Sequence, residues 1–105
     1  MIDEILTAAT IPHQAARFPN PPDTHAVYFD SVTTDGPDAG PVRIVTHDIT
    51  VELYAPTIAE GEDAKRRLEA ELDARSLRYT TQGWYWLNDI RRYQEIYEFS
   101  HIEKI

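Results

Sequence analysis

The sequence predicts an α+β domain: a mostly antiparallel four-stranded sheet with two helices packed on one face, in the order helix–strand–strand–helix–strand–strand. Three observations carry that expectation. A charged helix pattern occupies residues 55–75, strand-type alternation precedes it over 42–54, and an aromatic pair of strands follows over 77–103. A chain of 105 residues is long enough for one hydrophobic core and too short for two, so 1–105 reads as a single domain.

The elements follow in order. Ile2, Ile5, Leu6 and Ala9 recur at helical spacing with Asp3 and Glu4 at the positive end, which predicts a short helix ending before Pro12. In F-P-N-P-P-D-T (18–24) three prolines remove donors and fix φ, so an extended lead-in is expected. A-V-Y-F-D-S-V (26–32) has the β-branched and aromatic content of a first strand. T-T-D-G-P-D-A-G-P (33–41) reads as a turn-rich loop.

From Val45 the chain alternates. Val45, Ile49, Val51 and Leu53 share one parity, and Thr46, Asp48, Thr50 and Glu52 the other, as in a strand with one wet face. His47 falls on the apolar parity, where a histidine with a satisfied hydrogen bond is expected in preference to a functional one. Thr57 is placed to cap the second helix, with Glu60 as capping-box partner. Ala64, Leu68 and Leu72 mark its buried stripe. Lys65, Arg66 and Arg67 are flanked by Glu62, Asp63, Glu69 and Glu71 at pairing distance, so this basic run reads as a solvated charged face.

Composition narrows function. A net charge of −8 disfavours a duplex-DNA or anionic-membrane surface, since such partners select clustered Lys and Arg. With no cysteine, disulfides, thiolate catalysis and Cys-ligated metals are excluded. The acidic start M-I-D-E-I-L lacks a basic region before an apolar core, so no signal peptide is expected, and synthesis in the cytoplasm is. His13, His25, His47 and His101 are scattered without metal-binding spacing, and no nucleophile or phosphate-loop motif occurs. No catalytic, cofactor-binding or metal-binding residue is assigned, and the chain is not expected to be an enzyme.

The run W-Y-W-L-N-D-I-R-R-Y-Q-E-I-Y-E-F (84–99) poses the remaining question. With Asn88-Asp89 as a two-residue hairpin turn, Leu87 would face Ile90 and Trp84 would face Tyr93. One sheet face would then carry Trp84, Trp86, Tyr93, Tyr97 and Phe99. The other would carry Leu77, Tyr79, Tyr85, Leu87, Ile90, Ile96 and Ile102. With helices on only one side, the second apolar face marks an interface. A stacking platform for nucleic acid would need a cationic surround, and Glu95, Glu98 and Glu103 supply the opposite. Trp84, Tyr85, Trp86, Tyr93 and Tyr97 are therefore the candidate subunit or partner contacts, together with Asp35, Gly36 and Asp38 of the 33–41 loop.

Taken together, T-V-E-L-Y (50–54), the charged helix, R-Y (78–79), W-Y-W-L (84–87) and Y-Q-E-I-Y-E-F (93–99) resemble the tail-completion, or tail-terminator, proteins of long-tailed phages and prophages. Ile11-Pro12 and Pro21-Pro22 fit the same pattern, so the resemblance spans nearly the whole chain. Glu95 departs from it, standing where an apolar residue is usual, and the W-Y-W cluster is heavier than expected. The resemblance implies a non-enzymatic virion protein at the head–tail junction, made in the host cytoplasm. Such proteins form a ring, hexameric in these phages, that caps the tail tube and docks to the head connector. The implied partners are other copies of the chain, the tail tube protein and connector or neck proteins, with no membrane and no sequence-specific nucleic acid. Two alternatives stay open at this point: another neck or minor structural protein, and a dimeric α+β domain that binds a small ligand against its aromatic face.

Overall fold

The computed structural model describes residues 1–35 and 44–104. Its elements are α1 (Ile2–Ala8), β1 (His13–Ala15), β2 (His25–Thr34), β3 (Ile44–Ala55), α2 (Ile58–Ala74), β4 (Tyr79–Thr81), β5 (Tyr85–Leu87) and β6 (Arg92–Lys104). The expected four-stranded sheet is instead a six-stranded mixed sheet in the order β1-β2-β3-β6-β4, with β5 also paired to β6.

Two local causes account for the difference. The first is β1, which pairs in parallel with β2 (His13↔Ala26) and is only three residues long, too short to show a period. The second is a break in the expected strand over 77–87. Gly83 adopts φ 90°, a left-handed value that suits glycine, and splits the segment into β4 and β5. Because β3 occupies one edge of β6 from Tyr93 to Lys104, both fragments share the other edge, as Thr81↔Tyr97 and Tyr85↔Gln94.

The hairpin also differs from expectation. Leu87 pairs with Arg92 and Trp86 with Tyr93, leaving a four-residue connection (88–91) that closes through Arg91 at φ 53°. The break at Gly83 shifts the phase, so Tyr79 lies opposite Phe99 on the helix side, away from the face expected for it. Residues expected to begin the 33–41 loop, Thr33 and Thr34, instead extend β2.

Both helices cover one face of the sheet. Ile2, Ile5 and Leu6 of α1 and Ala64, Leu68 and Leu72 of α2 form one core with Ala26, Ile49, Val51, Leu53, Tyr97 and Phe99. Each fully buried aliphatic side chain here contributes about 1.5–3 kcal/mol of transfer free energy. The Thr57 hydroxyl accepts from Glu60 N–H at 3.2 Å and caps α2. Both helices end in the same device. Thr10 (φ 58°) and Ser76 (φ 57°) turn left-handed, while Ile11 N–H donates to Leu6 O and Leu77 N–H to Leu72 O, each at 3.0 Å. Arg67 Nη1 then donates to the carbonyls just past α1, Ala9 O at 2.6 Å and Thr10 O at 3.0 Å, fixing the helices to one another.

Gly61 on α2 has a packing role. A Cβ there would lie 2.6 Å from Trp84 Cη2 and 2.7 Å from its Cζ2, so the edge of the indole packs against bare backbone. In an open helix Gly→Ala stabilises by about 0.8–1 kcal/mol. Here Gly61→Ala is expected to lower the melting temperature, and Trp84→Ala in the same chain should restore the usual helix gain. A single Gly61→Ala variant more stable than wild type would refute the close packing.

A buried ion pair joins α2 to β6. Glu95, the residue that departs from the phage-protein pattern, is fully buried beside Leu53, and Lys65 Nζ meets its Oε1 at 2.5 Å. Removing one partner of such a pair costs about 3–5 kcal/mol at full burial, whereas replacing both by apolar groups is often neutral. Lys65→Met alone should therefore destabilise clearly, and Lys65→Met with Glu95→Leu should recover most of the loss. Chemical denaturation of the three variants checks this; additive losses in the double variant would contradict it.

Candidate functional site

The helices cover only part of the sheet. Burial on β2 stops at Val27 and every residue from Phe29 to Thr34 is exposed, so the far halves of β2, β3 and β6 project as an arm. The described molecule accordingly measures 50 × 27 × 22 Å. Exposed aromatic and strand-edge surface therefore lies at two ends of β6: the aromatic hairpin near Arg92 and the arm near Lys104.

At the hairpin end, Tyr85 is 68% exposed, Trp86 42% and Ile90 47%. Trp86 rests on Tyr93, half-buried, with ring centroids 4.8 Å apart. Trp84 belongs partly to the core: its ring covers Gly61 and its Nε1–H donates to Glu62 at 2.6 Å. Tyr97 is fully buried and donates its hydroxyl to Glu69, so it has no surface to offer a partner and corrects that expectation. Asp35 is exposed, its N–H donating to Ile44 O at 3.1 Å, which puts it at the arm end. Gly36 and Asp38 lie outside the described residues. The expected contact residues thus divide between two ends of the molecule.

The face opposite the helices is not bare beside the hairpin. Arg92 donates to Asp23 Oδ1 at 3.0 Å and Asp23 O at 3.1 Å, holding the proline-rich lead-in across it. His25 stacks on Tyr54 (4.9 Å, 14°) and meets Phe18 edge-on, and burial lowers its pKa. The cleft among Phe18, Pro21, His25, Val27, Tyr54, Ile90 and Arg92 holds about 230 Å³, below the ~300–1,000 Å³ usual for small-molecule sites. A larger hollow of about 550 Å³ is an open groove along β4, bounded by Leu77, Tyr79, Glu98 and Phe99.

A polar network lies between α2 and the sheet. Glu69 accepts from the hydroxyls of Tyr97 and Tyr79, and Lys65 reaches Glu69 at 4.0 Å as well as Glu95. Burial, then the Glu69 carboxylate, pushes the Tyr79 pKa up to about 12 and that of Tyr97 higher still. Burial alone would lower the Lys65 pKa, but Glu95, Glu69 and Glu62 outweigh it and keep the ammonium charged. The network locks α2 to β6. Its one legible trace in the sequence was Glu95 among aromatic strand residues.

On the arm, His47 joins three strands. Its Nδ1 lies 2.9 Å from Asp30 Oδ2 on β2, its Nε2 3.4 Å from Glu103 Oε2 on β6, and the His101 ring is 6.0 Å away. The hydrogen bond to Asp30 raises its pKa above the ordinary 6.5, with Glu103 assisting. Among the described residues no group of His, Asp or Glu is arranged to hold a metal ion. No helix among them is long and apolar enough to cross a membrane.

These features define a small α+β domain whose accessible chemistry is edges, aromatics and charge. Solved structures share its fold. One, which carries no functional description, superposes with a TM-score of 0.59 at 14% identity over 98% of this chain and 86% of its own. Another is a chain from the virion of a native gene transfer agent particle, with a TM-score of 0.57 at 11% identity, covering 96% of this chain and 84% of that one. No protein family and no curated protein matches the chain by sequence.

Because the folded pKa of His47 is raised, its contribution to stability is fully present below about 6.5 and is lost as pH rises through the folded value. Relative to His47→Gln, wild-type stability should therefore decline across that window. Melting curves from pH 5 to 9 test this, and parallel profiles for the two proteins would refute the clasp.

Proposed function

We propose that this chain is a structural protein of a phage-type virion. More narrowly, it is a tail-completion protein that forms a ring, caps the tail tube and joins it to the head connector. The observation that carries the proposal is the fold shared with a gene transfer agent virion chain along nearly the full length of both. The strand motifs T-V-E-L-Y and Y-Q-E-I-Y-E-F point independently to the same class.

The chemistry of the surface agrees with this role. A net charge of −8 suits the wall of a passage through which DNA must slide without adhering. Exposed Trp86 and Tyr85 are residue types that anchor protein contacts, and they sit on a hairpin stiffened from beneath by Tyr93. Partners of this role are further copies of the chain, the tail tube protein and connector or neck proteins. The role is structural and not catalytic, and its place is the head–tail junction. The cleft beside His25 is small and the larger hollow along β4 is an open groove, and neither encloses a ligand as a binding domain would.

Light scattering over a wide concentration range, with negative-stain images of the same samples, tests the proposal. Rings with a central hole are the expected result. A concentration-independent dimer without a ring would sink it.

A further inference from the structure

The arm carries two open strand edges, and their stereochemistry specifies how they can be filled. Ala26 N–H donates to Pro12 O at 2.8 Å and Tyr28 O accepts from Ala16 N–H at 2.9 Å, so even-numbered residues of β2 turn their peptide groups away from β3. Asp35 N–H, which reaches Ile44 O on β3, shows the opposite parity facing inward. The strand β1 pairs only with Ala26, Val27 and Tyr28. Beyond it, the N–H and C=O groups of Asp30, Val32 and Thr34 point outward with no strand partner among the described residues.

The ladders of β2 with β3 and β3 with β6 run without a bulge, so the same alternation carries across the sheet. On β6 it turns the peptide groups of Ile102 outward, past Phe99, the last residue paired to β4, and past Ser100, which lies beside Arg78. Neither edge has the proline or bulge that usually blocks strand addition. Each exposes an apolar side chain, Val32 at 54% and Ile102 at 63%.

We propose that the β6 edge of one copy pairs in parallel with the β2 edge of the next, continuing the sheet from subunit to subunit. Three observations favour a second copy in this orientation. Each of β2 and β6 is antiparallel to β3, so the two run in the same direction, and a neighbour related by rotation about a ring axis presents β6 parallel to β2. In a parallel pair the bonded residues are offset by one and lie on opposite sheet faces, as β1 shows: Ala26 bonds Pro12 yet sits opposite His13. The outward residues here meet that condition, because Val32 lies on the helix side with Tyr28, and Ile102 on the other side with Thr46. Finally, this arrangement fills both edges of every copy, whereas pairing β2 with β2 about a twofold axis would leave β6 open. Such a heterologous contact generates a closed ring when its rotation closes. The inference rests on the ring-forming reading above and assigns it an interface distinct from the aromatic hairpin.

The absence of native cysteine makes the test clean. Ser31 lies on the face of Ile102, and the two are separated within one subunit by β3, roughly 10 Å, too far for a disulfide. Under oxidation, Ser31→Cys/Ile102→Cys, or Ser31→Cys/Ser100→Cys for a neighbouring register, should give a covalent ladder extending past the dimer. Neither single variant should. Val32→Pro and Ile102→Pro each remove an outward N–H while sparing the β3 ladder, and should reduce the assembly to the mass of one chain with the circular dichroism spectrum retained.

A covalent dimer from Ser31→Cys alone would overturn the parallel arrangement in favour of a twofold one. Wild-type assembly retained in both proline variants, without a ladder, would overturn the edge contact but leave the ring standing. A wild-type chain that stays single at every concentration, with no ladder from either double-cysteine variant, would overturn both.

Discussion

The pairing of β3 with β6 over twelve residues is the constraint on which the rest of the structure depends. It fixes a rod longer than anything available to cover it. The 17 residues of α2 rise about 25 Å, whereas the 13 residues of β6 extend about 43 Å. The core therefore sits toward one end, where α1 and α2 meet the sheet, and among the described residues the other end consists of strands. An arm of this kind is kept ordered by ladder bonds and cross-strand pairs, with the Asp30–His47–Glu103 clasp tying all three of its strands.

The covered end is held by polarity as well as by apolar area. Glu95 occupies a core position where a methylene-rich side chain would pack more simply, and Lys65 descends from α2 to meet it. A buried pair of this sort adds little net stability, since desolvation offsets most of the attraction. It does add direction. With Glu69 accepting from two tyrosines, it admits one rotation of α2 on the sheet. Trp84 against Gly61 sets the depth of the same contact.

Much of this was legible in the sequence. The spacing of Ala64, Leu68 and Leu72 and the Thr57 cap located α2, and the alternation from Val45 to Leu53 identified the buried face of β3. What escaped were features decided by contact between distant segments. β1 exists because β2 offers an edge, and three residues carry no period. Gly83 alone does not reveal that the strand after it resumes in a different phase, and simple alternation across it puts Tyr79 on the wrong face. The aromatic run is sheet, as its composition implies, yet Tyr97 and the exposed Trp86 share one sheet face and one aromatic character. Only the position of α2 separates the core residue from the surface one. The clasp on the arm needed the register of three strands before Asp30, His47 and Glu103 could be seen together.

One consequence follows from the continuity of β6. It begins beside Trp86 and Tyr93 and ends in the open edge beyond Phe99, with no bulge in its ladder to β3. A sheet strand resists stretching far more than a loop or a linker does. Whatever docks at one end is thus held at a set spacing from whatever docks at the other, and the strand serves as a ruler between them. Tolerance at either surface is then governed by side chains that can repack, not by the distance between the two surfaces, which the backbone has already decided.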